Sequence, residues 1–227
     1  MIVAGLSPRL VLAADMVRQG AVFADVGTDH AYLPLFLLKA GKIVRAVCSD
    51  VNKGPLESAI QNAKDMGFYD NIEFVLTDGA EALSGRGVCD LAICGMGGEL
   101  IADIVSRAAF LRDKEINLIL QPMSKQAHLR RELSKMGFEI KDERYTKEGT
   151  HAYVVMLVSY SGVTCEISEV DAELGMLSMA KIEEAERFYL EKRLASIKKA
   201  ELGKLHSGAF AGEEAELINA ITKLLDK

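Results

Sequence analysis

The 227-residue sequence has no tryptophan, four prolines and only 6% aromatic residues. So few ring faces leave little on which nucleobases can stack, and any affinity for nucleic acid falls mainly to lysine and arginine. Its four cysteines, Cys48, Cys89, Cys94 and Cys165, form no Cys-x-x-Cys pair and have no histidine at ligand spacing. Metal ligation is therefore not expected. Three of them fall in apolar strand-like runs, where a thiol packs as a small hydrophobe, which suits a reduced, cytoplasmic protein. No apolar stretch approaches the roughly 18 uncharged residues of a membrane span. The longest candidate runs only from Ala31 to Leu38, so no membrane insertion is expected.

Positive charge is not in excess either: 27 Lys and Arg face 33 Asp and Glu, a formal net charge of -6. The balance argues mildly against a nucleic-acid partner, but its distribution matters more. Arg187, Lys192, Arg193, Lys198, Lys199 and Lys204 face only Glu191 and Glu201, so a basic face is available there. Repeats and low-complexity tracts are absent. The apolar start, MIVAGLSPRLVLAA, lacks a basic beginning and is interrupted by Ser7, Pro8 and Arg9. Ser7 as helix N-cap with Pro8 at the first helical position explains it better than a secretory segment.

What is present is an alternation. Leu6, Leu10, Ala13 and Val17 have helical spacing, and the strand-like run 21–25 follows. Further strands are expected at 44–49, 72–76, 89–94 and 117–121, with helices at 32–40, 55–66, 98–110 and 125–136 between them. Short apolar strands separated by helices predict a parallel sheet covered on both faces. Residues 137–145 and 151–159 then read as two strands without an intervening helix, joined by Lys147-Glu148-Gly149, and predict an antiparallel pair. The predicted fold class is α/β: a Rossmann-like, doubly wound, mostly parallel sheet with an antiparallel hairpin at its end, a pattern shared by methyltransferases and dinucleotide enzymes. Residues 1–163 form this domain. Residues 164–227 form a helical extension, with helices expected at 171–204 and 212–225 and a break at His206-Ser207-Gly208.

In open α/β sheets ligands bind beyond the carboxyl ends of the strands, and five such ends carry polar residues or glycines. The first is Asp25-Val26-Gly27-Thr28-Asp29-His30. Gly27 permits a sharp turn, while Asp25 and Asp29 offer polar contacts; helix capping is the alternative role for Asp29. A dinucleotide fingerprint would carry two further glycines, where Asp29 and Tyr32 stand. Carboxylates in their place suit a ligand bearing a sulfonium and an ammonium. Asp50, ending the second strand, is placed for ribose hydroxyls. Asp78-Gly79, ending the third, offers an acceptor for an adenine amine, or a plain turn. The fourth runs into Gly95-Met96-Gly97-Gly98, whose backbone donors are expected to face the ligand. Gln121, before Pro122, serves either a base edge or the turn itself.

Taken together, Ala24-Asp25-Val26-Gly27-Thr28-Asp29-His30-Ala31-Tyr32-Leu33-Pro34, Gly54-Pro55, Gly95-Met96-Gly97-Gly98 and Ile119-Leu120-Gln121-Pro122 resemble the bacterial tRNA (adenine-22-N1)-methyltransferase family in order and spacing, over essentially the whole chain. Asp50 stands where that family has glutamate, Met123 where it has asparagine, Val154 where it has glutamate and Arg193 where it has tryptophan. The resemblance implies methyl transfer from S-adenosylmethionine to N1 of an adenine in the D-arm of tRNA. It implies cofactor contacts from Asp25, Gly27, Asp29, His30, Asp50, Val51, Asp78, Gly79, Gly95, Met96 and Gly97. Catalytic contacts to the base would come from Asp29, His30 and Tyr32, with Met96 beside them. Lys125, Arg130 and Arg131 would add to the basic tail as an RNA footprint. A monomer or weak homodimer is expected. The rival readings are a methyltransferase for another RNA position or a small molecule, a nicotinamide-dependent oxidoreductase, and a noncatalytic assembly module built on the helical tail.

Overall fold

The computed structural model describes residues 5–179, 181–206 and 213–226, with side chains over 5–179, 181–202 and 214–226. Alternation of apolar strands and helices builds a seven-stranded sheet with helices on both faces, as expected. The strands are β1 (Ala21–Val26), β2 (Ile43–Asp50), β3 (Ile72–Leu76), β4 (Asp90–Gly97), β5 (Asn117–Ser124), β6 (Phe138–Glu148) and β7 (His151–Tyr160). The helices are α1 (Pro8–Met16), α2 (Tyr32–Lys39), α3 (Lys53–Asp65), α4 (Gly98–Arg107), α5 (Gln126–Lys135), α6 (Glu169–Leu174), α7 (Glu184–His206) and α8 (Glu213–Leu225). Strand order is β3-β2-β1-β4-β5-β7-β6. The first five strands are parallel, and β7 is antiparallel to both β5 and β6. The order reverses between β1 and β4, so the switch point, where α/β sheets bind ligands, lies at their carboxyl ends.

Period-two burial divides the core. Phe23, Ala46, Cys48, Ala92 and Ile119 meet α1, α2 and α3 on one face. Ala24, Val47, Leu91, Leu118 and Met156 meet α4 and α5 on the other. That second core continues into Tyr189, Leu190 and Ile197 of α7 and Leu217, Ile221 and Leu224 of α8. Each fully buried leucine or isoleucine contributes about 1.5–3 kcal/mol by leaving water. The tail helices thus share the core of the sheet.

Several expectations need correction. The helix expected over 171–204 is broken into α6, a 3-10 turn at Gly175–Ser178, and α7. The reason is a buried ion pair: a Cβ at Gly175 would lie 2.3 Å from Glu143 Oε2 and 2.6 Å from Arg130 Nε, so only glycine passes there. Strand β4 continues through Gly95 to Gly97, and β6 continues to Glu148, leaving only Gly149 and Thr150 for the turn. Ser7 occupies the N-cap of α1 with Pro8 following, but its side chain makes no capping bond. Of the expected break, Ser207 and Gly208 lie outside the described residues, as does Gly212. Among the described residues no helix is long and apolar enough to cross a membrane.

Candidate active site

The carboxyl ends of β1 to β4 enclose one cavity of about 520 Å³. Its lining includes Asp25, Gly27, Asp29, Tyr32, Asp50, Val51, Asp78, Gly79, Gly95 and Met96. Loops far apart in sequence therefore converge as the strand-end reading requires. Four carboxylates line the cavity against one basic side chain among the described residues, Arg9.

Asp25 forms the floor. It is buried, and Thr28 Oγ1 donates to its Oδ2 at 2.7 Å. Loss of hydration pushes its pKa up to about 6; the Asp50 charge raises it too, and the Thr28 hydrogen bond opposes them. A carboxylate whose ionisation is held back by burial gains most from a cationic ligand beside it. The Gly27 and Thr28 amides donate to Ser49 O at 2.8 and 2.9 Å, tying this loop to the end of β2. Gly27 has φ +72, and a Cβ there would lie 2.1 Å from Met96 Cε, so its missing side chain keeps the passage open.

Asp50 is nearly buried: its Oδ1 accepts from Asn52 N at 2.8 Å and its Oδ2 from Asp29 N at 3.3 Å. Asp78 is exposed at the far rim, 3.5 Å from Arg107 Nη2. Asp29 and Ala31 adopt left-handed backbone at φ 52 and 57. Two such residues within three cost about 1 kcal/mol or more each, a strain that folds tolerate chiefly at functional sites. Asp29 is not the N-cap of α2: that position is Ala31, which offers no capping side-chain bond. Instead Asp29 Oδ1 lies 3.5 Å from His30 Nε2, and the His30 ring stacks on Tyr32 with centroids 5.1 Å apart.

Relatives among known proteins share this framework. A family model described as "Methyltransferase domain" matches residues 6–156. The tRNA (adenine(22)-N(1))-methyltransferase of Bacillus subtilis is 32% identical over 173 residues, 76% of this chain and 72% of that one. The chain belongs to the tRNA (adenine-22-N1)-methyltransferase family. Within this methyltransferase family, a Streptococcus pneumoniae structure in complex with S-adenosyl-L-methionine superposes with a TM-score of 0.85 at 31% identity, covering 97% of this chain and all of that one. M. capricolum TrmK in complex with S-adenosyl-homocysteine gives a TM-score of 0.80 at 26% identity, covering 97% and 98% of the two chains.

Two of the residues expected at the methyltransferase cofactor site do not line the cavity: His30 and Gly97. The donor reading of the glycine turn also needs revision. The Gly95 amide is already used, donating at 3.1 Å to Gln121 Oε1. Gly98 is required by packing, since a Cβ would lie 2.4 Å from Lys125 O. Gln121 is fully buried and braces the Gly95 segment, its Oε1 also accepting from Arg9 Nη1 at 2.9 Å. Val154 is fully buried in the apolar core, whereas Met123 is 43% exposed.

The basic footprint shrinks. Arg130 is buried, with Nε donating to Glu143 Oε1 at 2.7 Å and Nη1 to Ala172 O, so it is an internal brace. Arg131 pairs with Glu169, Arg193 with Glu173, and Arg187 donates to Leu225 O. Lys125, Lys192, Lys198 and Lys199 remain exposed; Lys204 lies outside the described side chains. Residues missed in the sequence are Arg9, Thr28, Asn52, Thr77 and Leu100, all lining the cavity. Arg9 had left a signal, a lone charge in the first turn of an apolar helix.

Proposed function

We propose that the chain transfers the methyl group of S-adenosylmethionine to N1 of adenine 22 in tRNA. The observation that carries this reading is the single acidic cavity over the strand ends, in a chain whose 32%-identical relative is named for that reaction. The residues suit the cofactor: Asp25 and Asp29 favour its positive charge, Asp50 its ribose hydroxyls, Asp78 its adenine amine, and the open space at Gly27 its close approach. Val51, Gly79, Gly95 and Met96 complete the walls. A pyrophosphate would instead meet four carboxylates, which disfavours a nicotinamide cofactor.

The cofactor supplies a methyl group already activated by its sulfonium, so the chain's contribution is in-line positioning and electrostatics. Adenine N1 would form the new bond with its lone pair as the sulfonium–methyl bond breaks and leaves its electron pair on sulfur as a neutral thioether, and the base would become a cation without losing a proton. Asp29, at the rim, stabilises that charge, held by its left-handed backbone and by His30. Tyr32, 37% exposed and stacked on His30, offers its free face to the base. N1 is normally occupied in pairing or tertiary contacts, so the base leaves its stack at about a few kcal/mol unless already unpaired. Residues 1–163 act as the catalytic domain and 164–227 as a helical extension that presents Lys192, Lys198 and Lys199 to RNA. The setting is cytoplasmic.

Incubating undermethylated tRNA with methyl-labelled S-adenosylmethionine and mapping the modified nucleotide tests this. Label at N1 of adenine 22 supports the reading; label elsewhere, or none, refutes it.

A further inference from the structure

Strands β6 and β7 outrun the sheet. Strand β7 pairs with β5 only from Met156 to Ser159, whereas its pairing with β6 continues to Glu148 and His151. Because β6 runs parallel to β5, the free end of this hairpin projects past the carboxyl edge, on the side where the cavity opens. One of its faces is held by the tail: the rings of Tyr145 and Tyr189 meet edge-on at 4.9 Å, and Lys147 lies over Phe188. The other face turns toward α1.

On that second face three flat groups stand together. The Arg9 guanidinium lies 5.8 Å from the Tyr153 ring centroid, and Tyr153 stacks on His151 at 6.2 Å with 17° between planes. Arg9 is held by Gln121 on the cavity side and by Glu148, 3.5 Å away, on the hairpin side. It is also the one basic residue among the described cavity-lining residues. Flat side chains and arginine are what unpaired nucleotides are recognised by: rings take the base and guanidinium takes the phosphate.

We propose that Arg9, Tyr153 and His151 form an RNA-binding wall of the site, which takes the nucleotide adjacent to the target adenine: the base on the His151–Tyr153 pair and the phosphate on Arg9. This rests on the tRNA methylation reading and adds to it the surface that grips the displaced strand.

The test compares wild type with Arg9→Gln, Arg9→Lys, Tyr153→Ala, Tyr153→Leu and His151→Ala. The measurements are melting temperature, S-adenosylmethionine binding by calorimetry, and kcat and KM for tRNA across salt concentrations. Tyr153→Ala and His151→Ala are expected to raise KM for tRNA by about tenfold, with cofactor affinity unchanged. Arg9→Gln is expected to flatten the dependence of log affinity on log salt by about one and Arg9→Lys to restore it; a mere brace would leave that slope alone. Should Tyr153→Ala fail to fold, Tyr153→Leu keeps the apolar packing, removes the ring, and is expected to show the same KM effect. Wild-type KM and salt slope in the folded variants, or loss of cofactor binding in step with tRNA binding in Tyr153→Ala and His151→Ala, would overturn the proposal while leaving methylation at adenine 22 intact. A wild-type protein that methylates no tRNA would instead overturn the underlying reading, and this wall with it.

Discussion

Thr28 Oγ1 donates to Asp25 Oδ2 at 2.7 Å at the buried end of β1, and Asp25 titrates near 6 despite that bond. Burial outweighs the hydrogen bond. Against a usual value of 3.8, the native protein binds more protons than the unfolded chain between the two values. The contribution of Asp25 to stability is thus full below pH 3.8 and lost as pH rises through about 6. Asp25→Asn is expected to melt higher than wild type at pH 8 without cofactor, to lose that advantage near pH 4, and to bind S-adenosylmethionine about tenfold or more weakly. Melting curves at the two pH values with a titration at pH 8 check this.

Binding a cation beside Asp25 requires its carboxylate. Affinity for S-adenosylmethionine is expected to be flat above pH 7 and to fall by up to about tenfold per pH unit below 6. Proton release near pH 6, read as a binding enthalpy that varies with buffer, accompanies it. A pH-independent affinity between 5 and 7, on a protein still folded, would place the cation elsewhere.

Two glycines of the site are expected to fail differently. Gly98→Ala drives a Cβ into the Lys125 backbone, which has no side chain to move aside, and should destabilise the fold by about 1–3 kcal/mol. Gly27→Ala meets only the flexible tip of Met96, besides its own left-handed strain, and should act mainly on cofactor affinity. Chemical denaturation and calorimetry on both variants distinguish these outcomes.

The sheet was legible because period-two apolar runs and strand-end carboxylates are local signals. All five parallel strands fall within a few residues of expectation, and Asp25, Asp50 and Asp78 converge as their positions required. What was not legible depends on distant partners. Arg130 has an ordinary place on a helix, and nothing nearby in sequence says that Glu143 meets it in the core. The same pair explains Gly175, whose break in the tail looks like an unremarkable glycine until the guanidinium is placed beside it. The Gly95 amide looked free because its acceptor, Gln121, comes from the next strand.

That buried pair gives a further test. Removing one partner leaves the other charge uncompensated, so Arg130→Met or Glu143→Gln should each cost about 3–5 kcal/mol, a loss visible in urea denaturation. An RNA-contacting Arg130 would instead leave stability unchanged and weaken tRNA binding.

The most direct measurement is a calorimetric titration of wild type and Asp50→Ala with S-adenosylmethionine and with NAD. Wild type is expected to bind S-adenosylmethionine at one site per chain and to ignore NAD, and the Asp50→Ala protein, still folded, to bind at least about tenfold more weakly. NAD binding by wild type, or equal S-adenosylmethionine affinity in the two proteins, would contradict the assignment of the strand-end cavity to the methyl donor.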